Sequence, residues 1–359
     1  MALRVVIAAG GTAGHIMPAL ALAEELRSRG HDVSFVGVGG RAGSGIPEQH
    51  GYHEDHVPLR GFDRRLSLRN LRTAVQAALA VPRMMRVLRH RHADVVVGGG
   101  GYMAGPAAVA GRLTRRRVVL MEADSRFGLA NRLAAPFAQR VALAFPIAGR
   151  TSRTYVVTGR PVGRAVRDAN RAEGRQRLGL APTGTCVLVA GGSQGAQSIN
   201  DAALGAFCPS PPFDVVHVAG ARNEDDVRAR VANGGCGPRY HVYGFLDDYP
   251  AAVAAADLVI SRSGGSVFEL AAIGRPSILI PYPHATADHQ TGNAQWLADA
   301  GAAILLPDSE CTADRLKEIV GALLVDRHRL EAMGEAARRA ARPDAAERIA
   351  DLVEQVARR

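Results

Sequence analysis

Leu3-Arg4-Val5-Val6-Ile7-Ala8-Ala9-Gly10-Gly11-Thr12-Ala13-Gly14-His15 is the segment that decides the fold of this chain. The apolar run predicts a buried strand, and the glycines after it allow backbone N–H groups to come close to a ligand. Residues 18–29 then predict a helix that ends at Gly30, and residues 32–38 predict a second strand. Together these elements form a βαβ unit, which predicts a parallel sheet covered by helices.

The same pattern returns in the second half of the chain. Residues 185–190 predict a buried strand, which runs into the loop Gly191-Gly192-Ser193-Gln194-Gly195-Ala196 and then a helix. A chain of 359 residues is long enough for two cores. We therefore predict an α/β protein with a Rossmann-like domain at residues 1–160 and another at residues 161–340. Residues 341–359 are expected to form a C-terminal helix that packs back on the first domain.

The composition is typical of a globular protein, with 47% hydrophobic residues, 40 glycines and 19 prolines. The cysteines Cys186, Cys208, Cys236 and Cys311 are widely separated and form no Cys-x-x-Cys pair. We therefore expect no disulfide framework and no zinc site, and a reducing cytoplasm as the compartment. The longest uncharged stretch, residues 95–111, is rich in glycine and predicts a strand and loop rather than a transmembrane helix.

Positive charge is concentrated in the first domain. Residues 1–160 contain 23 arginines and 10 acidic residues, whereas the remainder contains 21 basic and 24 acidic residues. This asymmetry indicates an anionic partner for the first domain only. Nucleic acid is not expected, because the sequence contains no zinc-finger or RNP-type pattern and only 5% aromatic residues. An anionic membrane surface is the expected partner, and an arginine-rich composition with solvated surfaces is the alternative.

Residues 66–92 are the candidate for contact with that membrane. They mix apolar residues with arginines, and two more arginines lie just upstream: Arg64, Arg65, Arg69, Arg72, Arg83, Arg86, Arg89 and Arg91. An apolar helix face surrounded by arginine suits anionic lipid. The alternative is an ordinary amphipathic helix packed on the sheet.

The first glycine-rich loop predicts an anion-binding helix N-terminus. A dinucleotide site is disfavoured, because the second strand ends Phe35-Val36-Gly37-Val38-Gly39-Gly40 without the acidic residue that would hold a ribose. His15 is suited to removing a proton from a hydroxyl group near neutral pH. A local structural role for His15 fits the spacing equally well.

A second group of polar residues follows in the other domain. Ser261-Arg262-Ser263-Gly264-Gly265-Ser266 precedes a predicted helix that carries Glu269, and Asp288-His289-Gln290 follows a later strand. A carboxylate one turn beyond a Gly/Ser loop can hold both hydroxyls of a ribose, while the loop amides hold a diphosphate. His289 and Gln290 can reach sugar hydroxyls from the neighbouring loop. The alternative for Glu269 is a charge that the helix dipole favours.

Six sequence strings, in this order, resemble those of the MurG family of glycosyltransferases, and the likeness covers nearly the whole chain. They are Gly10-Gly11-Thr12-Ala13-Gly14-His15, Gly100-Gly101-Tyr102-Met103-Ala104-Gly105-Pro106, Gly128-Leu129-Ala130-Asn131-Arg132, Thr158-Gly159-Arg160-Pro161-Val162, Gly191-Gly192-Ser193-Gln194-Gly195-Ala196 with Asn200, and Asp288-His289-Gln290-Thr291-Gly292-Asn293-Ala294.

The resemblance implies a GT-B fold, in which two Rossmann-like domains face each other across a cleft. It implies inverting transfer of GlcNAc from UDP-GlcNAc to the muramoyl 4-hydroxyl of lipid I, giving lipid II for peptidoglycan synthesis. It also implies a peripheral enzyme on the cytoplasmic face of the cell membrane, with no cofactor and no catalytic metal. Other cell-wall synthesis enzymes are implied as partners.

The resemblance also assigns roles to individual residues. His15 is the implied base, with Glu122 as a second candidate. The implied donor-binding residues are Ser193, Gln194, Tyr243, Phe245, Leu246, Gly264, Gly265, Ser266, Glu269, His289, Gln290, Arg160 and Arg164. The implied acceptor-binding residues are Thr12, Ala13, Gly14, Tyr102, Asp124 and Asn131.

The chain departs from the family pattern at three places. It reads Met121-Glu122-Ala123-Asp124 where the family has His-Glu-Gln-Asn, and Gly163 stands where the family has an arginine, between Arg160 and Arg164. The loop before Glu269 is one residue shorter. The first departure leaves two alternatives open: a related transferase with another lipid or natural-product acceptor, and a UDP-GlcNAc 2-epimerase with the same two-domain fold.

Overall fold

The structure is a computed structural model that describes residues 2–10, 13–40, 44–59, 68–192 and 194–358. The chain forms two compact units. One consists of Met1–Gly163 and Arg342–Arg359, and the other of Arg164–Ala341.

The first unit contains a parallel sheet with the strand order β3-β2-β1-β4-β5-β6-β7. Its strands are β1 (Arg4–Ala8), β2 (Asp32–Gly37), β3 (His53–His56), β4 (Val95–Gly98), β5 (Arg117–Glu122), β6 (Arg140–Leu143) and β7 (Tyr155–Val157). Its first helices are α1 (Ala13–Ser28), α2 (Ile46–Gln49), α3 (Leu68–His90), α4 (Ala104–Leu113) and α5 (Leu129–Ala134). Because the sheet order reverses between β1 and β4, the carboxyl ends of these two strands are the expected ligand position in a doubly wound sheet.

The second unit repeats this plan with the strand order β10-β9-β8-β11-β12-β13, again parallel. Its strands are β8 (Cys186–Ala190), β9 (Asp214–Val218), β10 (Tyr240–Tyr243), β11 (Leu258–Ser261), β12 (Ser277–Leu279) and β13 (Ala303–Leu305). Its helices are α6 (Arg164–Arg167), α7 (Arg171–Arg177), α8 (Gln197–Phe207), α9 (Glu224–Asn233), α10 (Tyr249–Ala255), α11 (Val267–Ile273), α12 (His289–Asp299), α13 (Ala313–Val325) and α14 (Arg327–Ala340). The order reverses between β8 and β11, so this sheet has its own switch point.

The chain ends in α15 (Ala345–Ala357), which belongs to the first unit. Its buried side chains Ile349 and Val353 share an apolar core with Ile16 of α1. Arg29 adds an ion pair to Glu354, with 3.3 Å between its Nη1 atom and the carboxylate. Since surface ion pairs contribute little, the apolar burial supplies most of the stabilisation.

The predicted fold class, two α/β units with parallel sheets, is confirmed. The predicted helix at residues 18–29 begins earlier, at Ala13, so that His15 lies within its first turn. Residues 164–178 form two short helices rather than one, because the Asn170 side chain caps α7 by accepting hydrogen bonds from the N–H groups of Ala172 and Glu173.

The expectation of no disulfide is wrong, because Cys208 and Cys236 form one within the second unit. They are 28 residues apart in sequence, but they follow the ends of α8 and α9, which lie next to each other in the fold. Sequence spacing alone therefore misses this pair. Cys186 and Cys311 are buried free thiols.

Candidate active site

His15 lies at the switch point of the first sheet. A Cβ atom on Gly100, in the loop after β4, would lie 2.8 Å from Cδ2 of His15, and one on Gly101 would lie 3.5 Å from Cε1. Gly100 also has a φ of +95°, which disfavours any other residue. The imidazole therefore lies directly against bare backbone, at the point where α1 and the β4 loop meet.

Glu122, at the end of β5, is almost fully buried and holds the loop that follows it. Its Oε2 atom accepts hydrogen bonds from the Gly128 N–H at 2.8 Å and from Asn131 Nδ2 at 3.0 Å. Its Oε1 atom lies 3.4 Å from the Asp124 N–H. Burial raises the pKa of the carboxyl group, and the hydrogen bonds from Gly128 and Asn131 oppose that shift. The carboxylate thus organises Asp124 and Asn131, two of the predicted acceptor residues.

Arg160 follows β7, and its side chain reaches the predicted acceptor residues of the first unit. Its Nη2 atom donates to the Gly14 carbonyl at 2.5 Å, and its Nη1 atom donates to the Ala123 carbonyl at 3.2 Å. The residue is 8% exposed. Sequence reasoning grouped Arg160 with the donor residues, whereas these two contacts join it to the loops of the acceptor group.

The glycine-rich loop after β8 forms the floor of the second site. A Cβ atom on Gly195 would overlap the Ala219 carbonyl, and one on Gly220 would lie 2.5 Å from the Cα atom of Gly195. The loops after β8 and β9 therefore touch through their backbones, and only glycine fits at these two positions. Gln194 is exposed on this loop, which leads into α8.

A buried polar network supports this floor from below. The Asn200 Nδ2 atom donates to the Ala219 carbonyl at 3.1 Å, and its Oδ1 atom lies 3.0 Å from His217 Nε2. His217 Nδ1 lies 2.9 Å from the Tyr240 hydroxyl. Because the Asn200 oxygen can only accept, Nε2 of His217 carries the proton and Nδ1 accepts from Tyr240. Burial, with a smaller effect from the Arg230 charge, lowers the pKa of His217 to about 4.

The loop after β11 carries Gly264, Gly265 and Ser266 and is tied to the loop that begins α12. The Ser263 hydroxyl donates to the Gln290 carbonyl at 2.8 Å, and the Asn293 side chain donates to the Ser263 carbonyl at 3.2 Å. A Cβ atom on Gly264 would lie 3.9 Å from the Gln290 side-chain nitrogen. The structure therefore brings the predicted diphosphate loop and Gln290 together.

His289 and Glu269 lie beside this loop. The His289 Nδ1 atom is 2.8 Å from the Thr286 carbonyl, so Nδ1 carries the proton and the neutral ring has its lone pair on Nε2. Glu269 lies in the first turn of α11 and is half-buried. Burial raises the pKa of Tyr249, and the negative charge of Glu269 adds to the shift, which indicates that the two side chains are near each other.

Arg262 holds three of these loops together, a role that sequence reasoning missed. Its guanidinium group donates to Asp308 Oδ1 at 2.6 Å, to the Ser198 hydroxyl at 3.0 Å and to the Pro281 carbonyl at 3.2 Å. The side chain is 11% exposed. A charged residue inside a Gly/Ser loop at the end of a buried strand is the signal that could have identified it.

The remaining predicted residues lie at different places. Tyr243 ends β10, and its carbonyl accepts from the Ala219 N–H at 2.8 Å. Phe245 is 60% exposed, and Leu246 is half-buried. Arg164 is exposed and pairs with Asp168 at 3.7 Å.

Tyr102 is half-buried in the short 3-10 helix after β4, where it packs against the apolar core below α3 and α4. Thr12 and Ser193 lie outside the described residues, as does the side chain of Ala13.

Comparison with known proteins adds a second line of evidence. Residues 5–143 match the N-terminal domain of glycosyltransferase family 28, and residues 186–349 match its C-terminal domain. The UDP-N-acetylglucosamine--N-acetylmuramyl-(pentapeptide) pyrophosphoryl-undecaprenol N-acetylglucosamine transferase of Halorhodospira halophila is 41% identical over 370 residues, covering 98% of each chain.

Two solved structures are similar over nearly their whole length. The crystal structure of Acinetobacter baumannii MurG has a TM-score of 0.78 and 28% identity, covering 98% of this chain and 99% of that one. A UDP-GlcNAc 2-epimerase from Neisseria meningitidis has a TM-score of 0.71 at 15% identity, covering 98% of this chain and 99% of the epimerase, and therefore shares the fold alone.

The buried His217 makes stability depend on pH. The unfolded chain takes up a proton near pH 6.5, whereas the native imidazole takes one up only near pH 4, so stability is lost as the pH falls through this window. At about 1.4 kcal/mol for each unit of pKa shift, the expected loss is roughly 3 kcal/mol. Urea unfolding of the second unit, followed at several pH values from 7.5 to 4.5, measures it.

The matched control is His217→Gln, which keeps a polar side chain but cannot titrate. This variant should be less stable at pH 7 and lose less stability on acidification. The same pH dependence in both proteins would mean that His217 is not the group responsible.

Proposed function

This chain belongs to glycosyltransferase family 28, and we propose that it transfers GlcNAc from UDP-GlcNAc to the muramoyl 4-hydroxyl of lipid I, giving lipid II. It is a glycosyltransferase of the MurG type with a GT-B fold. The observation that carries the proposal is the near-complete match to a transferase whose name states this reaction. The glycine-rich loops at both switch points are consistent with it.

The second unit is proposed to bind the donor. Backbone N–H groups of the loops at residues 191–196 and 264–266 would hold the diphosphate at the carboxyl ends of β8 and β11. Glu269 would accept hydrogen bonds from the ribose hydroxyls. Gln290 would contact the sugar, while the lone pair of His289 Nε2 would accept from a sugar hydroxyl. The backbone of Phe245 and Leu246 would face the uracil.

The reaction then requires little covalent chemistry from the protein. The acceptor hydroxyl attacks the anomeric carbon, the bond from that carbon to the UDP oxygen breaks, and the configuration inverts. Negative charge grows on the departing UDP, where fixed backbone donors stabilise it without reorganisation. A base must take the proton of the hydroxyl as it attacks.

His15 is proposed as that base, in preference to Glu122. The Oε2 atom of Glu122 already accepts from Gly128 and Asn131, so the carboxylate serves to organise its loop. His15 lies at the switch point of the first sheet, beside the proposed acceptor residues. We assign Gly14, Tyr102, Asp124 and Asn131 to the acceptor site, together with Thr12 and Ala13 from the sequence resemblance.

The first unit is also proposed to bind the cytoplasmic face of the cell membrane. No helix in the described part of the chain is both long and apolar enough to span a bilayer. On α3, Val75 and Leu79 are 52% and 51% exposed, on the same helix as the exposed Arg83, Arg86 and Arg89. Exposed apolar side chains among arginines fit the boundary between the headgroups and acyl chains of an anionic membrane.

Incubation of the purified protein with UDP-GlcNAc and lipid I tests the proposed reaction, with lipid II and UDP as the expected products. The protein should release little UDP without an acceptor. Consumption of UDP-GlcNAc in the absence of acceptor, with formation of an epimer, would instead support the epimerase alternative. A protein that binds UDP but makes no lipid II would support a different acceptor.

His15→Ala should lower the turnover number by about 10²- to 10⁴-fold, the usual contribution of a general base. The affinity for UDP, measured by calorimetry, should remain unchanged, because the proposed donor residues belong to the other unit. Glu122→Gln is the comparison for the competing base. Full turnover in His15→Ala would remove His15 from the catalytic role.

Membrane binding is tested with vesicles that contain either neutral lipid alone or about one-third phosphatidylglycerol. Wild type should sediment with the anionic vesicles, and Val75→Glu/Leu79→Glu should bind them at least about tenfold more weakly, because two apolar contacts are lost. Val325→Glu is the matched control, since Val325 is 87% exposed but lies in the second unit. Equal binding by all three proteins would exclude this face.

A further inference from the structure

Pro18 leaves a gap in the hydrogen bonding of α1. In an α-helix the N–H of residue 18 donates to the carbonyl of residue 14, but proline has no N–H. Pro18 lies inside α1 and is buried, and the helix continues through it. The Gly14 carbonyl therefore lacks the donor that helix geometry would normally provide, one residue before His15.

Arg160 supplies a donor at this position. Its Nη2 atom lies 2.5 Å from the Gly14 carbonyl oxygen, while Nη1 lies 3.2 Å from that of Ala123. The guanidinium group is planar and rigid, so these two bonds fix the spacing between the two carbonyls. One side chain thus connects the turn that carries His15 with the residue between Glu122 and Asp124.

The backbone that carries Arg160 is itself held firmly. Thr158 is fully buried, and its N–H donates to the Leu143 carbonyl at 3.0 Å. Gly159 has a φ of +89°, and a Cβ atom there would lie 2.6 Å from the Cβ atom of Arg342. Arg342 in turn donates to the Val157 carbonyl at 3.1 Å. The guanidinium group is therefore anchored at both ends.

We propose that Arg160 is a positioning residue for the transfer reaction, which fixes the first turn of α1 and the imidazole of His15 relative to the Glu122–Asp124 loop. This inference rests on the proposed role of His15 as the base. A displacement of about 1 Å in a reacting group can cost about a hundredfold in rate. The Gly100 backbone limits His15 on one side, and Arg160 limits the turn that bears it.

A double-mutant cycle between Arg160 and Pro18 tests the proposal. Arg160→Met removes the donor and should lower kcat by about 10- to 100-fold, with KM for UDP-GlcNAc unchanged. Pro18→Ala restores the missing N–H and should retain nearly full activity while Arg160 is present. In Pro18→Ala/Arg160→Met the new N–H bonds to Gly14, so kcat should recover to within about threefold of Pro18→Ala.

Arg160→Lys gives an intermediate expectation, because one ammonium group keeps the charge but lacks the fork that spans two carbonyls. If the losses in kcat from Arg160→Met and Pro18→Ala simply multiply, Arg160 does not act through the Gly14 carbonyl, and the proposal is overturned. A rise in KM for UDP-GlcNAc with kcat unchanged would overturn it as well. Unfolding in urea is measured for every variant, and Arg160→Lys replaces Arg160→Met in the cycle if the latter does not fold.

Amide hydrogen exchange provides a readout that needs no catalysis. Arg160→Met should speed exchange in residues 14–20, and the added Pro18→Ala should slow it again. If wild type makes no lipid II, the proposed function fails, while the exchange data still decide whether Arg160 orders the turn. Unchanged exchange in Arg160→Met would contradict the positioning role even in an active enzyme.

Discussion

Close backbone contact between the loops at the carboxyl ends of parallel strands is the constraint on which both sites depend. In the first unit, Gly100 must lie against the His15 ring, and in the second unit Gly195 must lie against the Ala219 carbonyl. Side chains at these points would separate the loops and bury the amides that are proposed to hold charge. The glycines therefore set the shape of each site, and the polar side chains around them supply its chemistry.

Such loops lose their own flexibility to buried polar networks, which must be fully satisfied to be stable. Arg262 bonds to three different segments of the second unit, and the set formed by Asn200, His217 and Tyr240 supports the Ala219 carbonyl from the opposite side. The structure thus preorganises the proposed donor site before any ligand arrives. In the first unit Glu122 and Arg160 have the same relation to the loops that they bond.

The strands with apolar runs and glycine-rich ends, such as β1 and β8, were predictable from the sequence, because burial on both faces gives a clear signal. The edge strand β3 was not, since it reads His-Glu-Asp-His and its place in the sheet comes from pairing with β2. The disulfide between Cys208 and Cys236 was missed for a similar reason. Residue types at the site followed from the family resemblance, but the bonds of Arg160 to two distant carbonyls depend on tertiary structure.

The position of α15 has a consequence for synthesis on the ribosome. The first unit is discontinuous, because its last helix is translated only after the whole of the second unit. Until then the apolar surface of α1 around Ile16 and Leu20 lacks the side chains of Ile349 and Val353 that share its core. The second unit is continuous and can complete its core while the first still waits for its final segment. A ribosome that stalls within the last twenty or so codons would release a chain whose first unit exposes a sticky face to chaperones and proteases.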